Sequence, residues 1–157
     1  MAVITTEFND LLKQLQTDYP GLKLEAGDDF RWSPLTKTVH YDTRRTTTSG
    51  YPLLLHEAAH GILGHESYKY DIDLLKLERE AWNKARELGE RYGLPITENN
   101  IEDSLDSYRD WLHARSTCPA CSRNGVQSGD NTYECLVCSA KWQVNDARSC
   151  GLKRYRQ

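Results

Sequence analysis

Apolar positions recur at helical spacing in four stretches of this chain, and short β-like runs fill the gap between the first two. Phe8, Leu11, Leu12, Leu15 and Tyr19 share one face of a helix expected over about Thr6 to Tyr19, which Pro20-Gly21 stops. Three short strands follow, Leu22 to Ala26, Phe30 to Ser33 and Thr38 to Asp42, with turns at Gly27-Asp28-Asp29 and Pro34. A small antiparallel sheet is the expected product. Thr46, Thr47, Thr48, Ser49 and Gly50 form a polar loop able to cap the next helix, and Pro52 suits its first turn. That second helix, about Tyr51 to Gly64, is apolar around most of its circumference, as a buried helix is. A third, about Asp71 to Tyr92, carries the stripe Leu74, Leu77, Ala81, Ala85, Leu88 and Tyr92, ended by Gly93 and Pro95. A fourth, about Asn99 to Ala114, carries Ile101, Leu105, Tyr108 and Leu112.

Around Ser116 the composition turns to Cys, Gly, Ser and Asn, which places a domain boundary there: residues 1–115 as an α+β domain, 116–157 as a small appendage. With 38% hydrophobic and 27% charged residues in 157, the chain reads as soluble and globular. No apolar run approaches the ~18 residues of a membrane span. Met1 to Asp10 has neither the basic start nor the apolar core of a signal peptide, so a cytoplasmic location is expected. Thiols stay reduced there, which favours metal ligation over disulfides for the five cysteines. The net charge of −3 is uneven: from Ser116 on there are six Lys/Arg against three Asp/Glu. The end, Leu152-Lys153-Arg154-Tyr155-Arg156-Gln157, is basic and reads as a solvated tail that also admits contact with nucleic acid.

The second helix contains His56-Glu57-Ala58-Ala59-His60. Residues four apart lie one turn apart on one helix face, so two imidazoles can share a metal. Glu57, about 100° around the helix, can hold a water on that metal and take its proton without being a ligand. Leu53-Leu54-Leu55 before and Gly61-Ile62-Leu63 after would bury these polar groups, and burial without compensation is costly. A catalytic zinc needs a third protein ligand and one open position. On a continuing helix His65 points about 180° from His56 and turns inward only if the helix breaks at Gly64. Glu78 projects into the apolar stripe beside Leu74, Ala81, Trp82 and Ala85, where a carboxylate needs a partner; the alternative is a partly exposed side chain paired with Arg79 or another side chain. Glu80 lies about 120° from the stripe centre and is expected in solvent. Tyr68, Tyr70 and His40 are conceivable oxyanion stabilisers, and the Thr38 to Asp42 strand is a conceivable edge for an extended peptide.

Taken together, His56-Glu57-Ala58-Ala59-His60-Gly61-Ile62-Leu63-Gly64-His65 and the later Glu78-Arg79-Glu80-Ala81 resemble the gluzincin metallopeptidases, and most of all the ImmA/IrrE-type family, over roughly Thr38 to Pro95. The resemblance implies that His56, His60 and Glu78 bind zinc and that Glu57 is the general base. It also implies a short cytoplasmic peptidase acting on a regulatory or DNA-associated protein. The family commonly has Asn after the alanine of its later motif; here Trp82 stands there and Asn83 follows.

Cys118-Pro119-Ala120-Cys121 and Cys135-Leu136-Val137-Cys138 are two CxxC pairs, and four such thiolates close a tetrahedral structural zinc. Tyr133 and Trp142 flank the second pair and are expected to cover the metal, while Cys150 is left over as a plain thiol. The expectation is therefore a mini-gluzincin-like domain followed by a zinc ribbon, with two zinc ions per chain and a protein or peptide substrate. A SprT-like protease acting on DNA-bound protein is one rival, but its third ligand would have to be the downstream His113. The other is a non-catalytic zinc-binding adaptor or transcription regulator, which the presence of Glu57 disfavours.

Overall fold

In the computed structural model, which describes residues 6–47, 49–147 and 152–157, the expected helices form nearly where the periodicity puts them. They are α1 (Thr6–Asp18), α2 (Tyr51–Leu63), α3 (Asp71–Arg91) and α4 (Glu98–Ser116). Strands β1 (Lys23–Gly27), β2 (Arg31–Ser33) and β3 (Thr38–Asp42) lie between α1 and α2. Strands β4 (Val126–Gly129), β5 (Thr132–Glu134), β6 (Lys141–Val144) and β7 (Arg154–Arg156) follow α4. The class is α+β. No helix among the described residues is long and apolar enough to cross a membrane. Cys150 and Arg148 lie outside the described residues.

Contacts divide the chain into two compact units, Met1–Ser67 with Leu77–Ile101, and Tyr68–Lys76 with Glu102–Gln157. The division does not fall at 115/116, because the start of α3 and most of α4 group with the cysteine-rich segment.

In the first unit α1 lays Phe8, Leu11, Leu12 and Leu15 into the interior, and α2 contributes Leu54, Leu55, Ala58 and Ala59. The sheet order is β1-β3-β2, with β1 parallel and β2 antiparallel to β3. The sheet is thus mixed rather than antiparallel throughout. β3 is the most deeply buried of the three, with Thr38, Val39 and Asp42 all inside, and so takes the centre. Both sides of β3 are paired, which removes the Thr38 to Asp42 strand as an edge for a peptide. The expected side-chain cap on α2 is also absent: Gly50 is the N-cap and makes no side-chain bond, while Pro52 fills the first turn. At the other end of α2 the helix comes close to the sheet at Gly61. A Cβ there would lie 2.5 Å from Leu22 and 2.8 Å from the Trp32 ring, a distance only glycine permits.

In the second unit β4-β5-β6-β7 form one antiparallel sheet. The basic end is therefore not a free tail: Arg154–Arg156 pairs with β6, though its side chains are exposed. Tyr133 and Trp142 stack at 5.8 Å and share a core with Cys118, Cys135, Ala140 and Val144. Trp142 Nε1–H donates to the Arg115 carbonyl at 2.9 Å. The Arg115 guanidinium, only 2% exposed, donates to Asp71 Oδ2 (2.8 Å), Asn131 Oδ1 (2.6 Å) and the Asn145 carbonyl (2.5 Å). Tyr133 Oη also donates to Asp71. This network gives the ribbon its helical footing, and it explains why the compact unit includes Asp71 and Arg115. Replacing Arg115 by Ala leaves Asp71 buried without its cation and should cost about 3–5 kcal/mol. Urea unfolding followed by tryptophan fluorescence should show the loss, while Arg109→Ala, on an exposed pair, should change little.

Candidate metal centres

α2 and α3 bring His56, His60 and Glu78 together, all three buried. His56 Nε2 and His60 Nε2 are 3.2 Å apart. Glu78 Oε2 is 2.9 Å from His56 Nε2, and Glu78 Oε1 is 3.1 Å from His60 Nε2. A tetrahedral zinc with ligands at about 2.0–2.1 Å sets its ligand atoms about 3.3 Å apart, so the spacing fits. The donor chemistry fits as well. Glu78 Oε2 has no hydrogen-bond donor in proper orientation despite its burial, as expected of an atom whose lone pair faces a cation. Burial works against charge on Glu78, and only cationic partners at its oxygens, protonated imidazoles or a metal ion, hold its pKa down. The stripe position of Glu78 is thus a buried one, and the paired surface alternative does not occur; Glu80 is 62% exposed in its side chain.

The two imidazoles are oriented by different means. His56 stacks on Trp82, ring centroids 4.2 Å apart, and its Nδ1 has no hydrogen-bond partner. Trp82 therefore forms one wall of the site. His60 Nδ1 meets His65 Nδ1 at 2.9 Å, and His65 Nε2 meets Glu80 Oε2 at 3.1 Å. α2 does end at Gly64, which adopts a left-handed conformation (φ 70°), and His65 turns inward. It reaches the rear nitrogen of His60 and does not join the Nε2 cluster. Burial, with His60 beside it, lowers the His65 pKa against the pull of Glu80.

Glu57 sits one residue along from His56, and its Oε2 accepts the Trp32 backbone N–H at 2.8 Å. That is its only hydrogen bond among the described residues, so Oε1 is left free. Burial raises the Glu57 pKa, with the neighbouring histidines opposing the rise. The Trp32 indole N–H donates to the His65 carbonyl at 2.8 Å. One tryptophan on β2 thus ties the catalytic candidate and the turn after α2 to the sheet. His40 occupies the central strand between Glu25 and Arg31.

The four cysteines of the two pairs form a second cluster and are free thiols. Cys118 and Cys138 sulfurs are 3.7 Å apart, and those of Cys121 and Cys135 are 3.5 Å apart. Disulfide sulfurs would lie about 2.05 Å apart. Tetrahedral zinc–thiolate bonds of about 2.3 Å put sulfurs about 3.8 Å apart, which the cluster approaches. The two turns are built alike. Cys118 and Cys135 each receive a backbone N–H four residues on, from Ser122 (2.9 Å) and Ser139 (3.0 Å), both left-handed. Backbone N–H groups of Cys138 and Val137 bring the Cys135 thiol down to about 6, while at Cys121 the pull of the Arg123 N–H is outweighed by burial and the neighbouring sulfurs, which push that thiol up, so the cluster keeps protons that a metal would displace. These four thiols could hold one ion with no position left open, the arrangement of a structural site.

The roles of Trp32, Trp82, His65 and Glu80 were not legible from spacing. Gly64 was the one available signal, since a helix that stops there frees His65 from helical projection. Comparison with known protein families, with characterised proteins and with solved structures finds no match to this chain.

Proposed function

We propose that the chain is a zinc-dependent endopeptidase of the gluzincin type, with Glu57 as general base and a second, structural zinc in the cysteine ribbon. The observation that carries the reading is the convergence of His56 Nε2, His60 Nε2 and the Glu78 carboxylate within about hydrogen-bond distance, with Glu57 next to His56. His56, His60 and Glu78 would hold the ion and leave its fourth position open. When bound, zinc supplies Lewis-acid polarisation of a peptide carbonyl and lowers the pKa of its water to about 7. Glu57 Oε1 takes the proton of the attacking water and passes it to the departing amide nitrogen. Its other oxygen stays anchored on Trp32, so the carboxylate does not swing away between these transfers. A carboxylate as third donor, rather than His113, favours this reading over a SprT-like one; His113 Nδ1 instead lies 3.3 Å from the Asn124 amide. Regulatory or DNA-associated proteins are the substrate class we infer, on the resemblance alone.

Cleavage of a casein-type substrate tests the reading. Activity should vanish with chelator and return with zinc, and Glu57→Gln should lose about 10²- to 10⁴-fold in rate while keeping its metal. Zinc binding with no cleavage of any protein substrate would turn the assignment to an adaptor.

A further inference from the structure

We propose that His65 and Glu80 form a relay behind His60 that fixes its proton on Nδ1, which makes His65 a positioning residue of the metal site. The inference rests on the metal-site reading above and deepens it. Proton logic runs along the chain from its exposed end. Glu80 as a carboxylate only accepts, so the His65 Nε2, 3.1 Å from Glu80 Oε2, must be the donor. A neutral His65 ring then has a bare lone pair on Nδ1. His60 Nδ1, 2.9 Å away, must carry the hydrogen between them. That leaves a lone pair on His60 Nε2, aimed at the Glu78 carboxylate 3.1 Å away and at His56 Nε2 3.2 Å away. An imidazole lone pair facing a carboxylate is repulsive unless a cation lies between them. The relay thus delivers the tautomer a metal needs, and the cluster in front supplies the need.

The backbone is arranged to make this contact. On a continuous helix, residues 60 and 65 are about 140° apart and cannot touch. The left-handed Gly64 (φ 70°) ends α2, and His65 N–H bonds back to the His60 carbonyl at 3.0 Å. Trp32 Nε1–H holds the His65 carbonyl at 2.8 Å, so the turn is pinned from the sheet. His65 is buried while Glu80 is exposed, so water can replace Glu80 but nothing replaces His65. His56 has no such support: its Nδ1 is unpartnered and its ring is set by Trp82. The relay therefore acts on one ligand only.

The test uses the full chain and measures zinc affinity by competition with a chelator, with the four-cysteine site as an internal reference. His65→Leu should weaken the His56/His60/Glu78 site by about 10- to 100-fold, the usual cost of removing an outer partner of a metal-bound histidine, and leave the cysteine site unchanged. His65→Asn places an acceptor oxygen near the former Nδ1 and should recover most of the loss. Glu80→Ala should weaken the site less than His65→Leu. A second readout needs no variant: ring ¹⁵N spectra of the zinc-loaded protein should show the His60 proton on Nδ1, slow to exchange. Unchanged affinity in His65→Leu, equal losses in the Leu and Asn variants, or a His60 proton on Nε2 each overturns the relay while leaving the metal site standing. A wild-type chain that holds zinc only at the cysteine site overturns the metal site and the relay together.

Discussion

Replacing Glu78 by Ala should remove one of two zinc ions from the purified chain and abolish proteolysis. The carboxylate sits with both oxygens against the two Nε2 atoms, at 2.9 and 3.1 Å, so it is the sole anionic donor of the cluster. Without it, two neutral imidazoles 3.2 Å apart must hold a dication alone. Losing an outer partner of a zinc ligand costs about 10- to 100-fold in affinity, and losing the ligand itself should exceed the upper end of that range. Folding of the first unit should survive, because alanine fits beside Ala81 and Ala85 and removes a buried charge. Elemental analysis by mass spectrometry should read about two zinc equivalents for the wild type and one for the variant. Glu80→Ala and His65→Ala should still read two at saturating zinc. Two equivalents in Glu78→Ala would place the third ligand elsewhere.

Cys121→Ser should unfold the ribbon while the first unit keeps its structure. The ribbon core consists of Cys118, Tyr133, Cys135, Ala140, Trp142 and Val144, two of them metal-ligand candidates. So small a core cannot stabilise itself, and structural zinc typically contributes roughly 10–16 kcal/mol of binding free energy that is also folding free energy. Four strands of three or four residues would then lose their order, and Arg115 would lose Asn131 and Asn145 as partners. Amide exchange should become fast in 117–157 and stay slow in α2 and in β3. Proteolysis by the remaining unit should persist, which separates the structural metal from the catalytic one. Unfolding of α2 as well would mean that the cysteine site supports the whole chain.

The helices were legible because their signal is local. A stripe of apolar residues every three or four positions specifies which face is buried whatever it packs against, and α1 to α4 begin and end within about two residues of that pattern. The same projection put Glu78 inward and Glu80 outward, since burial on a helix is a matter of angle. The CxxC pairs were legible because each turn closes within four residues. What depends on distant partners was not. The parallel pairing of β1 with β3 sets β2 on the far side of β3, an order that no local pattern specifies. The Trp32 amide on Glu57 spans 25 residues, and the bond of Asp71 to Arg115 spans 44. His65 shows the boundary between the two kinds of information. Its sequence position says where an ideal helix would point it, but a left-handed Gly64 and the indole of Trp32 decide where it goes. Local periodicity determined which residues could meet a metal. Only the tertiary structure decided what stands behind them, because the partners that orient His56, Glu57 and His60 come from β2, from α3 and from the turn that ends α2.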